Sequence, residues 1–277
     1  MMIKNIFILF VFSFTLLKCA FKPEGENVIT ISGSDTMYEL NQKLAKEFMI
    51  DNPGFSVYVK GGGTRLGIID LIKNRTDISA SSRNLKPEES KLLVEYYGSL
   101  ATVYLIAKDG LSIYVNPSNI VNDLTIEQIK KIFTGKITNW KELGGADTSI
   151  VPVLRNPNSG TYLYFKEHVL DDEEYTENGL TLPTTKEITK YISEHTNAVG
   201  YGGVGYKDGI VQIRVGGVYP TEENIRNDTY PITRYLHFFV TKAPSGSVKK
   251  FIDWTLSPKG QSVIKKAGFI PPWDYSL

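Results

Sequence analysis

The sequence holds a single cysteine, Cys19, in 277 residues. That excludes an intramolecular disulfide framework and any cysteine-rich zinc site. Histidine is scarce too: His168, His195 and His237 stand apart, without the H-x-x-x-H or H-E-x-x-H spacing that holds a metal, so no metal site and no cofactor are expected. No sign of charge dominates, since 31 Lys and Arg meet 30 Asp and Glu. This balance argues against an extended nucleic-acid surface and against an acidic or polybasic tail. The 16 tyrosines and 3 tryptophans are scattered without a basic stripe, so nucleic-acid binding has no support. No run of about 18 apolar residues is present to span a bilayer. Catalytic motifs are missing as well. There is no G-x-S-x-G elbow. Gly135-Lys136-Ile137-Thr138 lacks the upstream glycine of a phosphate-binding P-loop, because position 130 is lysine. The tract Asp171-Asp172-Glu173-Glu174 reads as a solvated face.

What is present starts with an address. Lys4 precedes an apolar stretch from Ile6 to Leu17, which fits the core of a secretory signal and is short for a bilayer span. Cys19 then sits where a bacterial lipoprotein signal carries its lipid. The resemblance to such a signal includes Leu16 and departs at Lys18, a position normally held by a small residue. The expectation is a signal peptide over 1–18, a polar tether over 19–27 and a lipid on Cys19. The protein would then be exported to the periplasmic or cell-envelope side and held at a membrane by lipid, not charge.

The remainder alternates short β-branched strands with helical patterns, an α/β arrangement with enough chain to bury a real core. Val28-Ile29-Thr30-Ile31 reads as a strand, and Met37, Leu40, Leu44, Phe48 recur at helical spacing from about Thr36. Leu100–Ala107 and Ile113–Val115 read as two strands separated by Lys108-Asp109-Gly110, and Gly200–Tyr206 reads as loop and turn. Four strand ends share one chemistry: Gly33-Ser34-Asp35-Thr36, Gly61-Gly62-Gly63-Thr64, Ser81-Ser82-Arg83 and Asn158-Ser159-Gly160-Thr161. In open α/β sheets such ends form the ligand crevice. Helix starts there offer free N–H groups and partial positive charge, which suit an anion. Hydroxyls add neutral donors, and Arg155 adds one full charge with planar, paired donors. Each serine or aspartate also has an ordinary alternative as a helix cap, worth about 0.5–2 kcal/mol of stability. Both roles stay open at Ser34, Asp35, Ser82 and Ser159.

At these motifs the chain resembles the PstS-type phosphate-binding proteins of bacterial ABC phosphate importers. The resemblance rests on Ile31–Met37, Gly61–Ile68, Asp77–Arg83, the Phe133-Thr134-Gly135-Lys136-Ile137-Thr138-Asn139-Trp140 segment and Arg155–Thr161, in the family's order. It implies a two-lobe type II periplasmic-binding-protein fold with the ligand between the lobes. Lobe I would comprise 28–108 plus 221–277, and lobe II 109–220. It also implies capture of inorganic phosphate by Ser34, Asp35, Thr36, Thr64, Ser82, Arg155, Ser159, Gly160 and Thr161, no catalysis, and delivery by a monomer to the membrane subunits of an ABC permease. Ser82 stands where some relatives have an aspartate that accepts the phosphate proton, so Asp35 is expected to accept it here. Arg65 and Arg83 adjoin the site and are further candidates, Arg83 the better. Two other readings share these residues: a receptor for another tetrahedral oxyanion, and an exported phosphoester hydrolase using Ser34 or Ser159.

The lipid assignment has a direct test. Cys19→Ser is expected to abolish metabolic palmitate labelling and to release the exported protein from the membrane fraction; a variant still labelled and sedimenting with membranes would refute it.

Overall fold

The computed structural model describes residues 25–273, so the signal segment 1–18, Cys19 and most of the tether lie outside the described residues. The β-branched runs form β1 (Val28–Gly33), β2 (Ser56–Lys60), β3 (Ile78–Ser81), β4 (Thr102–Val115), β5 (Asp123–Leu124) and β6 (Val151–Arg155). They continue as β7 (Leu180–Leu182), β8 (Ala198–Gly203), β9 (Val211–Gln212), β10 (Arg214–Val215) and β11 (Thr233–Val240). Between them lie α1 (Tyr38–Asp51), α2 (Thr64–Ile72), α3 (Pro87–Tyr97), α4 (Ile126–Phe133) and α5 (Gly160–His168). The last helices are α6 (Thr185–Glu194), α7 (Glu222–Arg226), α8 (Gly246–Leu256) and α9 (Pro258–Lys266).

Among the described residues one continuous sheet runs β2-β1-β3-β11-β4-β8-β6-β7, with β9 also on β4. Its two flanks are parallel, β2-β1-β3 and β8-β6-β7, as strands joined by helical crossovers must be. The middle is antiparallel. β4 pairs with β11 from Thr102 to Gly110 and with β8 from Leu111 to Val115, so one strand passes from one half of the molecule to the other. Two cores flank the passage. One gathers Ile29, Leu40, Phe48, Ile78, Leu236 and Phe251. The other gathers Ile113, Ile129, Phe133, Trp140, Phe165 and Tyr201. Ile225, Tyr230 and Ile232 belong to the second core. β11, which starts at Thr233, follows them and pairs with both β3 and β4.

Two local expectations fail for one reason, the suppression of turn chemistry by burial. Lys108-Asp109-Gly110 does not interrupt the strand. Lys108 bonds Asp228 at 2.7 Å and the Arg226 carbonyl at 3.1 Å, while Asp109 is held by Arg234 at 2.9 Å. With the charges neutralised, the backbone pairing continues. Gly110 leaves room for Ile225, whose Cδ1 a Cβ there would approach to 2.5 Å. Likewise Gly200–Gly203 is strand, not loop. A Cβ on Gly202 would lie 2.6 Å from Thr185 Cγ2 and 2.7 Å from the Tyr114 hydroxyl. These glycines admit the helix α6 and Tyr114 against the sheet.

The histidine in β11 gives the fold an acid limit. His237 is 5% exposed, stacks on Phe239, and its Nδ1 has no partner among the described residues. Burial, with a smaller contribution from Arg234, pushes its pKa down to about 4, against the Ser81 backbone contact. The native state holds this ring neutral, whereas the unfolded chain protonates it near the ordinary value of 6.5. The contribution to stability is thus complete above about pH 6.5 and is lost as pH falls toward 4, by at most about 3 kcal/mol. His237→Phe is expected to flatten the fall of the melting temperature across that window; an unchanged acid profile would refute the assignment.

Candidate anion-binding site

The strand ends singled out by sequence converge. Ser34 precedes a short 3-10 turn, Asp35–Met37, that leads into α1. Thr64 opens α2, Ser82 follows β3, and Ser159 caps α5, whose first residues are Gly160 and Thr161. The Thr36 and Thr161 hydroxyls, 125 residues apart and from opposite halves, meet at 2.8 Å. Thr64 Oγ1 lies 3.4 Å from Ser82 Oγ and accepts the Ser82 amide at 3.2 Å. A Cβ on Gly160 would overlap Thr64 Oγ1 and lie 2.7 Å from Ser82 Oγ. The start of α5 is therefore seated directly on the two hydroxyls of the other half. Gly63, with φ +95°, makes the turn into α2 and lets its backbone approach Asn158, whose carbonyl accepts the Arg65 amide at 3.2 Å.

Burial and cap bonds describe the two roles left open by the sequence. Ser34, Thr36, Thr64, Ser82, Arg155, Ser159 and Thr161 are all buried. Ser34 makes no side-chain cap bond, and Ser82 caps no helix, since α3 begins only at Pro87 behind Lys86. Ser159 does cap, its Oγ accepting the Thr161 and Tyr162 amides at 3.2 and 3.4 Å. The helix starts at α1, α2 and α5 point N–H groups without intrahelical acceptors toward one place.

Arg155 is 1% exposed. It donates to Asp35 Oδ2 at 2.8 Å, to the Thr185 hydroxyl at 2.9 Å and to the Pro183 carbonyl at 2.9 Å. Its Nε is buried with no partner among the described residues, which leaves a donor in reserve. Burial pulls the guanidinium below its ordinary value, and the Asp35 carboxylate opposes that pull. Asp35 is engaged at both oxygens, with Oδ1 accepting the Gly62 amide at 2.8 Å. Its side chain ties the first half to Arg155 of the second. It does not cap α1.

The two further arginine candidates point elsewhere. Arg65 is exposed, and Arg83 forms a two-pronged pair with Glu89 at 2.7 and 2.8 Å while also bonding the Asn84 carbonyl. Sequence reasoning missed Arg234 and Asp109. Arg234 donates from Nε and Nη2 to Asp109 Oδ2 at 3.0 and 2.9 Å, and from Nη1 to Thr161 Oγ1 at 3.1 Å and the Ser82 carbonyl at 3.3 Å. Burial pushes the Asp109 carboxyl up, and Arg234 together with the Val204 amide holds it down. Tyr206 was also missed; its hydroxyl donates to the Asp35 and Thr36 carbonyls at 3.1 and 3.3 Å. A lone arginine opening the apolar run of β11 was the available signal, but its partner lies 125 residues away.

Chemically the cluster is a set of hydroxyl, amide and guanidinium donors, suited to an oxyanion. Among the described residues no histidine ring is hydrogen-bonded to Ser34 or Ser159. Among the described residues no group of three or more His, Cys, Asp or Glu is gathered that could hold a metal, and no helix is long and apolar enough to cross a membrane.

Comparison with known proteins points the same way. Residues 22–259 match the family model described as a PBP superfamily domain. The phosphate-binding protein PstS of Bacillus subtilis (strain 168) is 34% identical over 262 residues, covering 92% of this chain and 84% of that protein. A phosphate ABC transporter substrate-binding protein from Clostridium perfringens, solved with bound phosphate, is 35% identical. It superimposes with a TM-score of 0.83 over 88% of this chain and 99% of that one. An ABC-type phosphate transport receptor from Vibrio cholerae is 30% identical with a TM-score of 0.71, over 87% of this chain and 99% of that one. With its hydroxyl-lined cleft and its sheet divided by two crossing strands, the chain belongs to the PBP superfamily and, within it, to the PstS-type binding proteins with the two-lobe type II fold.

Proposed function

We propose that the chain captures inorganic phosphate between its lobes by closure and delivers it to an ABC phosphate importer, as a binding protein and not an enzyme. The observation that carries this reading is the meeting of Thr36 and Thr161 at 2.8 Å across the cleft. It brings two helix starts from opposite lobes to one point, a spacing that a small oxyanion bridges with bonds to both. In this reading phosphate is held by the hydroxyls of Ser34, Thr36, Thr64, Ser82 and Thr161, by amides at the helix starts including Gly160, by the Ser159 cap and by Arg155. The lobes divide at the crossing strands, with 28–109 and 233–273 in the first and 110–232 in the second. The chain acts as an exported monomer, with the permease and a Cys19 lipid as its membrane contacts.

For Asp35 we propose a part other than the proton acceptor expected from sequence. Its carboxylate already receives Arg155 and the Gly62 amide, so we read it as the clamp that orients Arg155 across the cleft. Breaking a buried pair by removing one partner costs about 3–5 kcal/mol, which makes closure sensitive to it.

Three measurements test these statements. Titration of the phosphate-stripped protein, followed by heat or Tyr and Trp fluorescence, is expected to show saturable phosphate binding, with sulfate titrated alongside. Absent phosphate binding removes the phosphate reading, and tighter sulfate binding favours a receptor for another oxyanion. For Asp35→Asn, the ratio of phosphate to sulfate affinity is expected to stay within about threefold, since a clamp serves both anions; a selective loss of phosphate would restore the proton-acceptor role. Gly160→Ala is expected to hold the lobes apart, because the added Cβ meets Thr64 and Ser82, and to weaken phosphate by about 100-fold or more. Small-angle scattering would then report no contraction on adding phosphate, and a normal contraction would contradict the closure geometry.

A further inference from the structure

We propose that Arg234 is a positioning residue for the anion: it pins and polarises the Thr161 hydroxyl so that the Thr161–Thr36 pair faces the ligand only as a hydrogen-bond donor. This rests on the phosphate reading above and adds to it a residue outside the strand-end motifs.

The direction of each bond follows from chemistry. A guanidinium has donors and no acceptor, so at 3.1 Å Thr161 Oγ1 accepts from Arg234 Nη1. Thr161 and Thr36 then share two hydroxyl hydrogens across their 2.8 Å contact. One hydrogen fills that contact, and the other points outward whichever residue supplies it. The charge behind Thr161 makes its oxygen a poorer acceptor and the outward hydrogen a stronger donor.

The guanidinium cannot swing away from this task. Asp109 takes Nε and Nη2 at 3.0 and 2.9 Å from the neighbouring strand, where Arg234 and Asp109 are register partners. Both side chains are buried, at 2% and 0% exposure. What remains free to aim is Nη1, and it reaches Thr161 of the second lobe and the Ser82 carbonyl of the first. Arg234 thus touches a ligand loop from each lobe while sitting on a crossing strand. A lysine there would keep the charge, but its single nitrogen cannot reproduce the planar fork.

A double-mutant cycle distinguishes positioning from mere support of the fold. Phosphate is titrated into the native chain, Arg234→Lys, Thr161→Val and the double variant, up to about 10 mM so that weak sites still register. Arg234→Lys is expected to weaken phosphate about tenfold in the native background and less than about twofold when Thr161 is already valine. Equal losses in both backgrounds overturn the proposal. If the native chain itself does not bind phosphate, it is the underlying functional reading that fails. Should Arg234→Lys not fold, or Thr161→Val bind too weakly to read, the native chain labelled with ¹⁵N-arginine decides. The guanidinium signal that Thr161→Val displaces must also move when phosphate is added to the native protein; a signal indifferent to phosphate overturns the proposal.

Discussion

A carboxylate with no exposure, placed in the middle of a strand, is the constraint around which this structure is organised. Asp109 stands where β4 leaves one lobe for the other, and an unpaired charge there would cost several kcal/mol. Arg234 on the returning strand removes that cost, and in doing so fixes which residues of β4 and β11 face each other. The same guanidinium reaches Ser82 and Thr161. One ion pair therefore links the register of the two crossing strands to the spacing of the Ser82 and Thr161 segments.

The site above this pair gathers donors without gathering net charge. Arg155 is matched by Asp35 and Arg234 by Asp109, so each buried cation carries its own counter-charge. Helix starts supply the remaining positive potential, about half an elementary charge each before screening, and hydroxyls supply neutral donors. The near balance of charge in the whole sequence is consistent with this design. Specificity for a small oxyanion then comes from the number and direction of donors, which a strongly basic patch would not provide.

Much of the fold was legible because its signals are local. The β-branched run at Val28–Ile31, the glycines at 61–63 and the Ser159 cap each act within a few residues of themselves, and the strand ends followed by hydroxyls do meet in the structure. What was not legible depends on distant partners. Lys108-Asp109-Gly110 carries every mark of a turn, and only Asp228, Arg234 and Ile225 turn it into strand. Gly200–Gly203 looks like a loop until Tyr114 and Thr185 are packed on it. Arg234 sat unremarked at the head of an apolar run, since its role exists only once β4, β3 and α5 surround it. Asp35 was singled out at its strand end, but its partner Arg155 lies 120 positions away, and no local signal announces the pair.

The same reasoning bears on Ser82. A carboxylate at that position would face Thr64 Oγ1 at close range and would draw on Arg234, whose Nη1 already lies 3.3 Å from the Ser82 carbonyl. Arg234 would then be shared between Asp109 and a second anion, and its hold on Thr161 would weaken. With serine at 82 the guanidinium keeps one carboxylate behind it and two neutral acceptors in front. The acidic residues here are instead paired, Asp35 with Arg155 and Asp109 with Arg234. Each guanidinium thus keeps a carboxylate within hydrogen-bond distance, which offsets the cost of burying it.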